Sequence, residues 1–130
     1  MSDRNLIYLA SPYSHPSVTV REDRFERVCR AAGELMRLGY MVFSPIAHSH
    51  AIGKLCDLPK DWAFWERQDT AILGRCSDMI VLKLEGWEQS VGIKAEVEFA
   101  QKRGIHVAWF DPEEIASLPG PDDAYLRLRL

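Results

Sequence analysis

The chain has 130 residues, 47% of them hydrophobic and 27% charged, with a formal net charge of −3 at pH 7. This length suits one domain, residues 1–130, around a single core, and the acidic balance excludes a generic nucleic-acid coat while leaving room for a local basic pocket. No apolar run approaches membrane-spanning length, the N-terminus leads straight into a strand with no room for a secretory leader, and Cys29, Cys56 and Cys76 are odd in number and unclustered, so a cytoplasmic protein with reduced thiols is expected, with neither membrane nor nucleic acid as partner.

Leu6-Ile-Tyr-Leu-Ala10 is a short run of strand formers halted by Ser11-Pro12. From Val20 to Leu38 the residues Phe25, Val28, Cys29, Ala32, Leu35 and Met36 recur at helical spacing, and Gly39 supplies the stop. Met41-Val-Phe43 is the second strand, ended by Ser44-Pro45, and residues 46–58 are expected to be a long loop with one helical turn at most. A second helix starts at Pro59 or Lys60 with the stripe Trp62, Trp65, Asp69, Ile72, Leu73 and Cys76. The third strand runs from Met79 to Leu84, and the third helix from Ser90 to Arg103 with Gly104 as its cap. Ile105 to Phe110 is the fourth strand. A short helix near Asp111–Ser117 follows, and the alternation Tyr125-Leu-Arg-Leu-Arg-Leu130 suggests a fifth, edge strand.

Such alternation with short connections predicts an α/β fold of three layers, α/β/α, with four to five parallel strands and helices on both faces. Ligands in open parallel sheets bind beyond the carboxyl ends of the strands. Three loops should meet there: Ser11–His15, Ser44–His50, and Glu85–Ser90 with the start of the third helix.

The residues that stand out fall on that rim. No Gly-x-Gly-x-x-Gly follows the first strand and no phosphate loop ending in Gly-Lys-Ser/Thr is present, so neither a dehydrogenase nor an ATPase is expected. Glu96 shares a helical face with Ile93, Val97 and Ala100, where a carboxylate is costly unless it is paired or used. Asp69 likewise sits where a leucine is expected. Two carboxylates from different helices beside one sheet rim suit glycosidic-bond chemistry, one at the anomeric carbon and one managing the leaving group's proton. Each also has a plainer role, as a half-buried acid paired with a backbone or arginine donor. Tyr8 is placed to donate to Glu96 or simply to fill the core. Ser90, at a helix start, is either a cap or a holder of one phosphate. His48 and His50, with His15, Cys56 and Asp57, lack a third ligand at firm spacing, so no metal is expected and a contact to base or phosphate is preferred. Trp87 is the candidate for stacking on a base, while Trp62 and Trp65 are assigned to core or subunit contact.

Ile7-Tyr8-Leu9-Ala10-Ser11-Pro12, Gly39-Tyr-x-Val-Phe-x-Pro45, the pair Asp69 and Asp78, and Ser90-x-Gly92-x-x-x-Glu96-x-x-x-Ala100 together resemble the nucleoside 2-deoxyribosyltransferase superfamily, which includes the 2'-deoxynucleoside 5'-phosphate N-hydrolases. With Asp61-Trp-x-x-Trp65 and Gly86-Trp87, the chain is most similar to the domain-of-unknown-function group 1937. The resemblance spans roughly residues 5–110. It implies a flavodoxin-like sheet, a homo-oligomer with sites near subunit boundaries, and no cofactor. It implies Glu96 as nucleophile, Asp69 as the acid beside the base, and Tyr8 as the residue positioning the nucleophile. Ser90 falls where nucleotide hydrolases carry Ser and transferases acting on free nucleosides carry Asp. Gly92, Ser11, Pro12, Tyr13, Pro45, His48, His50 and Trp87 complete the expected substrate-binding set. The hydrolases carry Gly-Ser-Ile-Arg after the first strand; Ser11-Pro-Tyr-Ser14 lacks that arginine, and Arg21, Arg24 or Lys94 are the available substitutes.

The expected function is N-glycosidic cleavage or 2-deoxyribosyl transfer on a nucleoside or nucleoside 5'-phosphate. The alternatives are a non-catalytic nucleotide-binding module of the same fold and a hydrolase of NAD-like or modified nucleotides.

Overall fold

A computed structural model describes residues 5–121. Four strands, β1 (Leu6–Ala10), β2 (Met41–Phe43), β3 (Asp78–Leu82) and β4 (His106–Phe110), form one all-parallel sheet in the order β2-β1-β3-β4. The helices are α1 (Val18–Arg37), α2 (Pro45–Leu55), α3 (Trp62–Leu73), α4 (Val91–Lys102) and α5 (Pro112–Ile115). This is a three-layer α/β/α, flavodoxin-like arrangement, with the switch in strand order between β1 and β3.

The period-two alternation of the strands divides the core. Ile7, Leu9, Ile80, Leu82, Ala108 and Phe110 face one side, where α1 supplies Val28, Ala32 and Leu35 and the end of the described chain adds Ile115 and Leu118. Tyr8, Ala10, Met79, Val81 and Val107 face the other, covered by Leu73 and Cys76 at the end of α3 and by Ile93 and Ala100 of α4. Every residue of β3 is buried, as a central parallel strand covered on both faces must be. Tyr8 and Glu96 therefore meet on the α3/α4 side.

The main departure from the sequence expectation is α2, eleven residues where a loop was anticipated. Its periodicity is weak and its only fully buried residue is Pro45, so the apolar pattern is silent. Local chemistry forms it instead: the Ser44 hydroxyl accepts from the Ala47 N–H at 3.0 Å, and Pro45 occupies the first turn, where its missing N–H costs nothing. Cys76 lies beyond α3, its thiol donating back to the Ile72 carbonyl at 3.4 Å. Strand β3 ends at Leu82 and not at Leu84, since its partner β4 ends at Phe110. Trp87 lies in a 3-10 turn spanning Trp87–Gln89. The suggested fifth strand, Tyr125–Leu130, falls outside the described residues. No described helix is long and apolar enough to cross a membrane.

Candidate functional site

A cleft of about 1200 Å³ opens at the carboxyl ends of the strands. Its walls come from the three expected loops, together with α2, the first two turns of α3 and the start of α4. Each loop arrives there because a strand stops at the rim: Ser11-Pro12 ends β1 and opens the loop to α1, Ser44-Pro45 starts α2 directly after β2, and Gly86 to Ser90 lead from β3 into α4.

Glu96 and Asp69 form the floor. Glu96 is only 5% exposed and accepts a 2.5 Å hydrogen bond on Oε2 from the Tyr8 hydroxyl. Burial pushes its carboxyl up to about 8; the Tyr8 hydrogen bond opposes that shift and the nearby Asp69 charge adds to it. Burial also pushes Asp69 up to about 6, and its Oδ1 is buried with no hydrogen-bond partner among the described residues. Burial, then the charges of Glu96 and Asp69, raise the Tyr8 phenol far above its ordinary value, so it stays protonated and can only donate to Glu96. Two acids with raised pKa values, one held by a tyrosine and one with an orphaned oxygen, make this floor the candidate site. The hydroxyl of Ser11, buried and also without a partner among the described residues, adds a third unspent polar atom to the lining.

A second polar cluster braces the opposite wall. The ring of His50 reaches two neighbours at once: Nε2 lies 3.2 Å from the Glu22 carboxylate, and Nδ1 lies 2.8 Å from the Tyr13 hydroxyl. Phe25 stacks on the ring at 4.1 Å, and Lys54 reaches Glu22 at 3.1 Å. The Lys54 ammonium, helped by His50, holds Glu22 below the usual carboxylate range.

A third device ties the rim together. Arg24 donates to the Ser14 carbonyl and to the Glu85 carbonyl, each at 3.0 Å, joining the loops that follow β1 and β3. Gly86 beside it has φ +93, a left-handed backbone that favours glycine, and an added Cβ would fall 2.5 Å from Arg24 Nη2 and push the guanidinium aside.

Of the expected site residues, Glu96, Asp69, Ser90, Gly92, Ser11, Pro12, Tyr13, Pro45 and His50 all line the cleft, and Tyr8 reaches it through Glu96. The Ser90 hydroxyl accepts from the Ile93 N–H at 3.2 Å, so it is a helix cap whatever else it does. Three expectations fail on position. His48 is exposed, its ring 5.5 Å from Phe43, and it is not in the lining; α2 turns it away while keeping His50 inward. Trp87 packs against the α3/α4 core, because the 3-10 turn folds it back onto the sheet. Lys94 is exposed and outside the cleft. Conversely, Trp62 and Trp65, assigned by sequence to core or subunit contact, line the cleft, as do Arg21, Arg24, Glu22 and Lys54. The available signal was their spacing: both tryptophans share the α3 face of Asp69. Among the described residues, no group of three or more His, Cys, Asp or Glu is arranged to hold a metal.

The family described as Domain of unknown function (DUF1937) matches residues 5–111, which takes in every strand and the whole of the cleft. The search of curated proteins found no match.

Proposed function

The chain belongs to the DUF1937 family, and we propose that it breaks, or transfers across, the N-glycosidic bond of a 2'-deoxynucleoside or its 5'-phosphate, as the sequence resemblance to nucleoside 2-deoxyribosyltransferases suggests. The observation that carries this is the floor: Glu96 buried, gripped by Tyr8 at 2.5 Å, within electrostatic reach of Asp69.

Glu96 uses the oxygen not held by Tyr8 to attack the anomeric carbon. The carbon–nitrogen bond breaks, its electron pair goes to the base, and the proton of Asp69 follows to the departing nitrogen. Water, deprotonated by the Asp69 carboxylate, or the nitrogen of a second base then displaces the ester and frees Glu96. Between about 6 and about 8 the pair holds one proton, mainly on Glu96, the acid with the higher pKa. Positive charge developing on the sugar favours the opposite placement, with charge on Glu96 and proton on Asp69, so the productive arrangement is stabilised at the transition state. A 2-deoxy sugar suits this chemistry, since an electron-withdrawing 2'-hydroxyl would destabilise the oxocarbenium-like transition state.

For the 5' end, support for a phosphate comes from the start of α4 with its Ser90 hydroxyl and from Arg21, Lys54 and Lys60 along the cleft. Arg24, spent on two carbonyls, is a positioning residue in this scheme. We further propose a homo-oligomer. Its contact surface is better sought among Leu55, Val18, Val91 and Phe64, which are exposed, than at Trp62 and Trp65.

A non-catalytic nucleotide-binding module is favoured by one observation, that burial leaves Glu96 protonated near neutral pH. The test is release of free base, followed by chromatography, from a panel of 2'-deoxynucleosides and their 5'-phosphates. Release by the native protein that falls at least about a thousandfold in Glu96→Gln, with binding kept, supports the enzyme. Binding without release by either protein supports the module.

A further inference from the structure

Helix α3 turns Trp62, Trp65 and Asp69 into the cleft, at spacings i, i+3 and i+7 that share one face. Trp65 is already engaged: its indole N–H donates to the Pro59 carbonyl at 2.8 Å, and its ring meets Phe64 edge-on at 5.0 Å. Trp62 is placed differently. Its ring lies on the first turn of α4, so close that a Cβ built on Gly92 would meet Cε3 at 3.3 Å and Cδ2 at 3.9 Å. Glycine at 92 thus lets the indole settle against the helix.

Gly92 and Glu96 are i and i+4 on α4, neighbours on one face roughly 5–6 Å apart. The indole therefore rests one helical turn from the carboxylate that faces the anomeric carbon. A base that leaves that carbon on the α3 side of the cleft meets this indole. Two turns along α3 from Trp62, the Oδ1 of Asp69 is buried without a partner among the described residues.

Resting on the N-glycoside reading of the cleft, we propose that Trp62, seated on Gly92, is the platform on which the base of the substrate stacks, with the Asp69 carboxyl at the nitrogen-bearing edge of that base. The ligand class is a flat nitrogen heterocycle presenting one face to an indole. Stacking tolerates many bases, because each has a π-face, so Trp62 supplies affinity while Asp69 reads the edge. The glycine of Ser90-x-Gly92 then serves the neighbouring tryptophan.

The experiment uses the Glu96→Gln background, which binds without turnover, and calorimetry with the four common 2'-deoxynucleoside 5'-phosphates and with 2-deoxyribose 5-phosphate, which has no base. Adding Trp62→Leu should weaken the tightest nucleotide roughly ten- to a hundredfold, and Trp62→Phe should restore most of the loss. Affinity for deoxyribose phosphate should stay the same in all of them. Gly92→Ala should weaken the same nucleotide without lowering the thermal midpoint, because alanine favours the helix while its Cβ displaces the indole. Equal weakening of the base-free sugar, or unchanged nucleotide affinity in Trp62→Leu, overturns the platform. Base release that needs Glu96 but ignores Trp62 removes the platform and leaves the enzyme standing. Failure of all four nucleotides and of their parent 2'-deoxynucleosides to bind removes both.

Discussion

Glu96 and Glu22 lie on two walls of one cleft and are tuned in opposite directions. Glu22 has a lysine at 3.1 Å and a histidine at 3.2 Å, and these partners hold its carboxyl below the ordinary range. Glu96 has one tyrosine and a like charge nearby, and burial pushes it up to about 8. The first is a satisfied acid that braces Tyr13, His50 and α2. The second is a costly acid that the fold keeps buried with a proton and no cationic partner among the described residues. Proximity to a cleft therefore does not mark a carboxylate as reactive; the inventory of its partners does.

Activity separates the two most widely. Glu96→Gln should abolish base release at least about a thousandfold, whereas Glu22→Gln, which only loosens the brace, should cost less than about tenfold. Comparable losses in both would erase the distinction. The pH profile comes next. The Glu96–Asp69 pair carries one charge between about 6 and about 8, so kcat/KM should be bell-shaped with limbs near those values, falling about tenfold per pH unit outside them. A profile that stays flat from pH 5 to 9 would mean that the pair does not govern the reaction. At the 5' end, Ser90→Asp keeps a capping oxygen but adds a negative charge, so 5'-phosphates should weaken about tenfold more than the matching nucleosides. Equal losses would leave Ser90 as a cap alone.

Stability provides the smallest and most diagnostic contrast. The raised pKa of Glu96 means that the native state holds a proton the unfolded chain has released from its ordinary 4.5 up to about 8, so native stability falls as pH rises through that window. Glu96→Gln removes this loss, and its melting temperature should match the native protein near pH 4 and exceed it by roughly 5 °C or more at pH 9. Glu22 has the opposite sign. Its depressed pKa adds stability above its ordinary 4.5, lost as pH falls through the folded value, so Glu22→Gln should melt below the native protein at pH 7 and converge with it in acid. Melting curves from pH 4 to 9 check both; curves that do not cross in this way would contradict the assignment.

The strands, α1 and α4 were legible because their burial follows period 2 or 3.6, and Glu96 was legible because it breaks such a pattern. Helix α2 was not, since it buries almost nothing and is begun by Ser44 and Pro45 alone. The tryptophans were misplaced for a related reason. Periodicity shows that Trp62, Trp65 and Asp69 share a face, but not whether that face meets the sheet or hangs beyond its end; Trp62 and Trp65 lie over the rim, and only Leu73, near the end of α3, is fully in the core. Trp87 failed in reverse, since a 3-10 turn has no apolar signature. The bracing cluster of Glu22, His50, Tyr13 and Lys54 joins residues up to 41 positions apart, Tyr13 to Lys54, and no local pattern links them.

The Arg24 clasp fixes one side of the mouth of the cleft, one guanidinium holding the loops after β1 and β3 together. The far jamb is α2 with the turn after it, where Asp57 adopts φ 53. Ser14 reaches both sides: its carbonyl takes the guanidinium, and its hydroxyl donates to the Lys60 carbonyl at 2.9 Å. A single residue of the loop after β1 thus stitches the two jambs of the mouth together.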